Sequence, residues 1–166
     1  MRILIAYASK SGTARAAAEL LAAHLQGQEV TVTDLEKSHT VSGDFDHIVV
    51  GGSVRMGKAH KALRRFLKEN GAAIAAVPHT LFLCCGIPEQ FENYLRRTFP
   101  PDLLDSAEDA VYFGGELDVS KQRGFDKWVA RMIRNAIRDS EDDEAGLPGL
   151  LPEHVRMLAD RLCGKQ

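Results

Sequence analysis

Apolar residues gather into short runs along this chain, at positions 3–8, 30–35, 47–51, 80–85 and 110–114, each bounded by turn-forming residues. Runs of this length read as strands rather than buried helices. Between most of them, at 14–26, 59–70 and 89–99, and again at 152–163, apolar residues recur at three- and four-residue spacing, which predicts helices. Alternating strands and helices argue an α/β fold with a parallel sheet covered on both faces. Double coverage also accounts for strands that are apolar throughout rather than at every second position. In open sheets of this kind a ligand lies beyond the carboxyl ends of the strands, so the loops after the first, third and fourth strands are the expected site. No internal repeat is evident.

Between the fifth strand and the last helix, residues 116–149 form an insertion. Its centre carries Phe125, Trp128, Val129, Met132, Ile133, Ala136 and Ile137, one apolar stripe at helical spacing. Lys121, Arg123, Lys127, Arg131, Arg134 and Arg138 surround the stripe with Asp126 as the nearby acid, and an acidic run (Asp139, Glu141, Asp142, Asp143, Glu144) and a turn-prone Gly146–Gly149 segment follow. Either the stripe packs on the sheet and the charges are solvated, or residues 121–138 make a peripheral contact with an anionic membrane surface or a partner.

The chain has 166 residues, the length of a single domain over 1–166. Its formal net charge of -2 excludes a globally basic nucleic-acid binder, so no nucleic-acid partner is expected. No apolar run reaches the roughly 18 residues of a membrane span, and the amino terminus lacks a signal-type pattern. A cytoplasmic chain is expected, at most peripheral at the inner face of the membrane. Cys84, Cys85 and Cys163 have neither C-x-x-C nor metal spacing and read as small buried apolar residues. Asp34, Asp44 and Asp46 lack helical or hairpin spacing to a histidine pair, so neither metal nor hydrolytic chemistry is expected.

The first strand stops at a Ser-Lys-Ser-Gly-Thr turn that opens directly into an alanine-rich helix. Outward-pointing N–H groups and the helix dipole make such a turn a phosphate cradle. It lacks the Gly-Lys-Ser/Thr ending of a nucleotide triphosphatase loop and the three glycines of a dinucleotide fingerprint. A tight turn without a ligand is the alternative. The segment Ser9, Lys10, Ser11, Gly12, Thr13, Ala14 resembles the phosphate loop of flavodoxins, Thr/Ser-x-Thr/Ser-Gly-x-Thr, with Ala14 where that family has its last threonine. The resemblance implies FMN as cofactor and a flavodoxin-like, doubly wound, five-stranded parallel sheet in the order 2-1-3-4-5.

After the third strand comes Gly51-Gly-Ser-Val-Arg-Met-Gly-Lys-Ala-His60, whose paired glycines allow close backbone approach to a planar ligand. Gly-x-Ser-Val-Arg-x-Gly-x-x-His is similar to the corresponding loop of the oxygen-independent, quinone-coupled protoporphyrinogen oxidases, a flavodoxin-fold branch of haem biosynthesis. Tyr112-Phe-Gly-Gly-Glu-Leu and the insertion after it are similar to that family too. The resemblance implies an oxidoreductase that passes electrons to a quinone. Its flavin contacts would be Ser53, Val54, Arg55, Met56 and Gly57 in this loop and Cys85, Gly86 and Ile87 after the fourth strand. The chain departs from flavodoxins in having no aromatic at Met56 or in the segment 84–90, so the usual stacking sandwich is missing and Val54 and Met56 stand as apolar cover.

Arg55 and Lys58 in the ring loop favour an anionic reduced flavin, which implies a potential above that of acidic electron carriers and suits an oxidase. Arg55 is therefore a candidate catalytic residue, or else a surface group paired with an acid such as Glu89. His60 is a candidate acid or base, or a helix cap. Two further functions stay open, namely an FMN electron carrier serving a redox-protein partner and a flavin-free binding module.

Overall fold

The computed structural model of the protein describes residues 1–10, 12–115, 125–138 and 149–164. Expectations for Ser11, Lys121, Arg123, the acidic run 139–144 and the side chains of Phe125 and Trp128 lie outside the described residues.

Parallel strands β1 (Arg2–Ala8), β2 (Glu29–Asp34), β3 (His47–Arg55), β5 (His79–Cys84) and β6 (Asp109–Tyr112) form a sheet in the order β2-β1-β3-β5-β6. This is the expected 2-1-3-4-5 path, renumbered because a two-residue strand, β4 (Lys58–Ala59), pairs antiparallel with the end of β3. Helices α1 (Thr13–His24), α5 (Phe125–Ile137) and α6 (Pro152–Cys163) cover one face, while α2 (Lys61–Ala75), α3 (Phe91–Thr98) and α4 (Pro101–Ser106) cover the other. Alternation along the central strands feeds two separate cores. Ile3, Ile5, Val49 and Phe82 face α1 and α6, and Leu4, Val50, Leu81 and Leu83 face α2 and α3.

Three local expectations are corrected. The single helix expected at 89–99 is a short 3-10 turn (Pro88–Gln90) and α3, and α4 follows it, because Pro100 and Pro101 interrupt the helix and restart it. β2 is not apolar throughout: Glu29, Thr31 and Val32 are exposed, as its edge position leaves one side without a neighbour. The third strand does not end at Gly51 but runs on to Arg55.

The described part of the insertion joins the core. Val129 and Met132 of α5 are buried against α1, with Ile133 and Ala136 partly buried beside them. Lys127, Arg131, Arg134 and Arg138 remain exposed, so α5 turns a basic face outward and an apolar one inward. Leu150 returns the chain to the sheet through an antiparallel bridge to Gly114, whose φ of 115° and close approach to Gly149 leave no room for a side chain. Among the described residues no helix is long and apolar enough to cross a membrane.

Candidate functional site

At the carboxyl edge of the sheet, β1 ends beside Gly52 of β3, and Ser53 pairs in turn with Cys84 at the end of β5. Ser53 thus sits at the centre of that edge, between the turn after β1 and the loop after β5. The strand-to-helix turn is held by the Gly12 N–H, which donates to Ser9 Oγ at 3.1 Å, and by the Ala16 N–H, which donates to the Gly12 carbonyl at 2.9 Å. Gly12 takes the left-handed conformation (φ 96°), brings no capping side chain to α1, and is followed by a first helical turn with no acid. An anion at this helix end would answer both the missing cap and the dipole. Lys10 is exposed, whereas Thr13 is buried and the Ala14 methyl lies in the core, so Ala14 has only its backbone to offer a ligand.

The second loop is a β-hairpin. Met56 (φ 50°) and Gly57 (φ 76°) are its two central residues, the signature of a type I′ turn, and Arg55 lies opposite Lys58. Gly51 and Gly52 lie inside β3. A Cβ on Gly51 would collide with the Phe82 carbonyl and come within 2.6 Å of its ring, and one on Gly52 would lie 2.6 Å from the Ala8 carbonyl oxygen. Close strand packing is therefore what requires both glycines. Val54 is buried in the α2-side core, and Met56, at the hairpin tip, is fully exposed.

A cavity of about 610 Å³ opens between this hairpin and the turn after β1. Lys10, Ser53, Arg55, Met56 and His60 line it, together with Glu36, Lys58, Ala59 and Lys61. Four of the lining residues are cations and one is an acid, and among the described residues none of the four cations forms a salt bridge. Arg55 therefore does not pair with Glu89. Glu36 is engaged by His60, whose Nε2 lies 3.2 Å from Glu36 Oε1. The other ring nitrogen, Nδ1, accepts the Ala62 N–H and caps α2. Ser53 is 99% buried (1% exposed) and its Oγ has no hydrogen-bond partner. A buried hydroxyl left without a partner loses the hydrogen bonds it had in water, which is rare in native cores.

The loop after β5 stands apart from this cavity. Cys85 is fully buried, its Sγ–H donates to the Ile87 carbonyl at 3.6 Å, and burial pushes its thiol pKa up. Gly86 and Ile87 are exposed. Tyr112 donates its hydroxyl to the Cys85 carbonyl at 3.0 Å and packs against Phe91, with ring centroids 5.4 Å apart.

Sequence patterning alone does not single out Glu36, Lys61, Tyr94 or Arg97. Glu36 arrives from the loop after β2, which only the tertiary fold brings to the hairpin. Tyr94 Cε1 and Arg97 Nη1 each lie 4.0 Å from where a Cβ on Gly57 would stand, which places α3 beside the hairpin tip. The one signal available for Lys61 is a lysine at the head of a helix that has no acid in its first turn.

Residues 4–144 match the flavodoxin domain family. The chain belongs to the flavodoxin family. Within it, the protoporphyrinogen IX dehydrogenase [quinone] of Escherichia coli K12 is similar at 24% identity over 143 residues, 80% of this chain and 78% of that protein. Among solved structures, a WrbA-like flavodoxin from Agrobacterium tumefaciens superposes with a TM-score of 0.52 at 17% identity, covering 82% of this chain and 98% of that one. An NADH:FMN oxidoreductase in its apo form superposes with a TM-score of 0.51 at 14% identity, covering 86% and 92%. The structural likenesses establish a flavodoxin-like fold, and the sequence likeness to the dehydrogenase agrees with the resemblance carried by residues 51–60 and 112–117.

Proposed function

We propose that this flavodoxin-family chain is an FMN-dependent oxidoreductase of the protoporphyrinogen dehydrogenase type, with a quinone as electron acceptor. The observation that carries the reading is the unneutralised pair of Arg55 and Lys58, held across the hairpin at the mouth of a cavity that adjoins the anion-seeking turn. Like charges directly opposite one another on paired strands repel, and a bound anion would relieve that repulsion. The residues present fit FMN: Gly12 and Ser9 shape a turn suited to its phosphate, and the orphaned Ser53 hydroxyl supplies a hydrogen bond at the edge between them. Bound FMN supplies reversible two-electron redox chemistry.

The chain's own residues would set the conditions for that chemistry. Arg55 favours a negative charge developing on a reduced ligand and so raises its affinity for electrons. Lys10 adds positive charge at the turn. His60 is occupied at both nitrogens, by Ala62 and Glu36, and is better placed to hold the head of α2 than to move a proton. An acidic carrier would use a negative docking face; here the rim of the site is positive, which favours the oxidase over the carrier.

The test is the visible spectrum of FMN-reconstituted protein during stepwise anaerobic reduction. Bleaching of bound flavin in a single two-electron step, followed by reoxidation with a quinone, is the expected result. Accumulation of a one-electron form would point to the carrier, and a protein that stays colourless after reconstitution would end the flavin reading.

A further inference from the structure

The two edges of the sheet are finished differently. At the β6 edge the Ala110 N–H donates to the Asp109 carboxylate at 2.8 Å, the Tyr112 carbonyl accepts from His154 Nδ1 at 2.7 Å, and Arg161 lies 2.7 Å from Asp109. That edge is closed by side chains. The β2 edge has no such closure among the described residues. The Glu29 N–H donates to the Met1 carbonyl at 3.0 Å and the Leu35 N–H to the Tyr7 carbonyl at 2.8 Å, so the odd-numbered residues of this stretch bond β1 and the backbone groups of Val30 and Val32 point away from the sheet. Glu-Val-Thr-Val-Thr-Asp contains neither proline nor lysine, pairs with β1 without a bulge and carries charge only at its two ends, which leaves its centre open to a further strand. Beside it a groove of about 610 Å³ is lined by Val32, Ile133 and Ile137, of which Val32 is 40% and Ile137 54% exposed.

We infer that the β2 edge is an interface between two copies of this chain, paired antiparallel about a twofold axis at Thr31. In this register the free groups answer one another. Val30 of one copy exchanges both backbone hydrogen bonds with Val32 of the other, and the twofold repeats the exchange. Moving the axis to Val32 would set Val30 against Asp34, whose carbonyl already accepts the Lys37 and Ser38 N–H groups, and moving it to Val30 would set Val32 against Gln28, whose N–H is already given to the Leu25 carbonyl. With the axis at Thr31, Glu29 faces Thr33, Asp34 faces Gln28 and Thr31 faces itself, so no two like charges stand directly opposite. On the other face the paired valines carry the apolar floor of the groove from one copy into the next. The occupant is a second copy because this edge complements itself. The joined sheet then ends on both sides in a closed β6 edge, so assembly stops at two. The pairing is independent of the cofactor reading.

Sedimentation velocity of the full chain over a range of concentrations reads the association, and a species of twice the 18.2 kDa chain mass is expected. Thr33→Glu sets a carboxylate opposite Glu29 of the other copy, at both ends of the twofold, and is expected to weaken association at least about tenfold at low salt. E29K/T33E is expected to restore it. Within one copy positions 29 and 33 lie about 13 Å apart along the strand, so the rescue can come only across the twofold, and a restored dimer also shows that the substituted chain folds. In the unmodified chain, hydrogen exchange at the Val30 and Val32 amides is expected to slow at least about tenfold between dilute monomer and concentrated dimer. A chain that stays monomeric at every concentration overturns the inference. So does a dimer that T33E leaves intact, a folded E29K/T33E chain that stays dissociated, or Val30 and Val32 amides that exchange alike in monomer and dimer.

Discussion

Glu36 Oε1 lies 3.2 Å from His60 Nε2, while Nδ1 of the same ring accepts the Ala62 N–H at 3.1 Å. With Nδ1 accepting, the ring proton sits on Nε2, facing the carboxylate. One side chain therefore caps α2 and ties it to the loop after β2. Asn at position 60 should keep the cap and His60→Ala should lose it, at about 1 kcal/mol, or a drop of roughly 2–4 °C in thermal midpoint for a chain of this size. Thermal denaturation of the two variants checks this. A large loss of turnover in a fully stable H60N variant would instead make His60 an acid or base.

Gly51 and Gly71 should respond to alanine in opposite directions. Gly51→Ala drives a methyl into the Phe82 carbonyl and ring, and overpacking of this kind costs about 1–3 kcal/mol or more. Gly71 lies inside α2 with nothing within 4 Å of a new Cβ, so Gly71→Ala should stabilise by about 0.5–1 kcal/mol. Urea titration of both variants decides the matter. A G51A variant as stable as the parent would return the paired glycines to ligand approach.

Alkaline stability should track Tyr112. Burial first, and then the neighbouring Cys85, Cys84 and Glu89 charges, push its hydroxyl pKa up to about 12. The unfolded chain loses this proton from pH 10 upward, before the folded chain does. The folded state then binds more protons, and stability falls as pH rises between about 10 and 12. Tyr7, also raised by burial, acts in the same direction. Tyr112→Phe should be less stable at pH 7 by about 1 kcal/mol through loss of the hydrogen bond to the Cys85 carbonyl, yet decline less steeply above pH 10. Denaturant midpoints measured at successive pH values check both parts.

Residues Arg131, Arg134 and Arg138 present cations with the buried Val129 and Met132 behind them. Association of this face with anionic liposomes should therefore be electrostatic, worth about 1 kcal/mol per cation near the surface and lost at high salt. Sedimentation of the Arg131→Glu, Arg134→Glu, Arg138→Glu triple variant should show it gone. Unchanged binding by that variant would end the membrane contact for this face.

What the sequence makes legible follows from how local each feature is. The parallel path of the five main strands is written in short apolar runs, and the α1 turn in adjacent residues, so both are readable without coordinates. The hairpin at residues 55–58 is not. Met56 is an unusual choice for a left-handed position, and a Met-Gly turn lacks the asparagine or aspartate that marks such hairpins. The stripe on α5 fits a buried or a docking face equally well until α1 is seen to pack on Val129 and Met132. The meeting of Glu36 with His60, and of Lys10 with Lys61 around one cavity, depends on long-range strand pairing that no local pattern encodes.

β3 runs through the middle of the sheet and continues past its edge into the hairpin. Residues 48–52 are pinned on both sides, by β1 and β5, while 55–58 overhang the sheet and touch little of the core. The tip can be rewritten without disturbing its foundation. Under the proposed function, exchanging four residues there would re-tune which molecules the protein accepts at little risk to folding, so a scaffold of this design lends itself to divergence by short substitutions at one address.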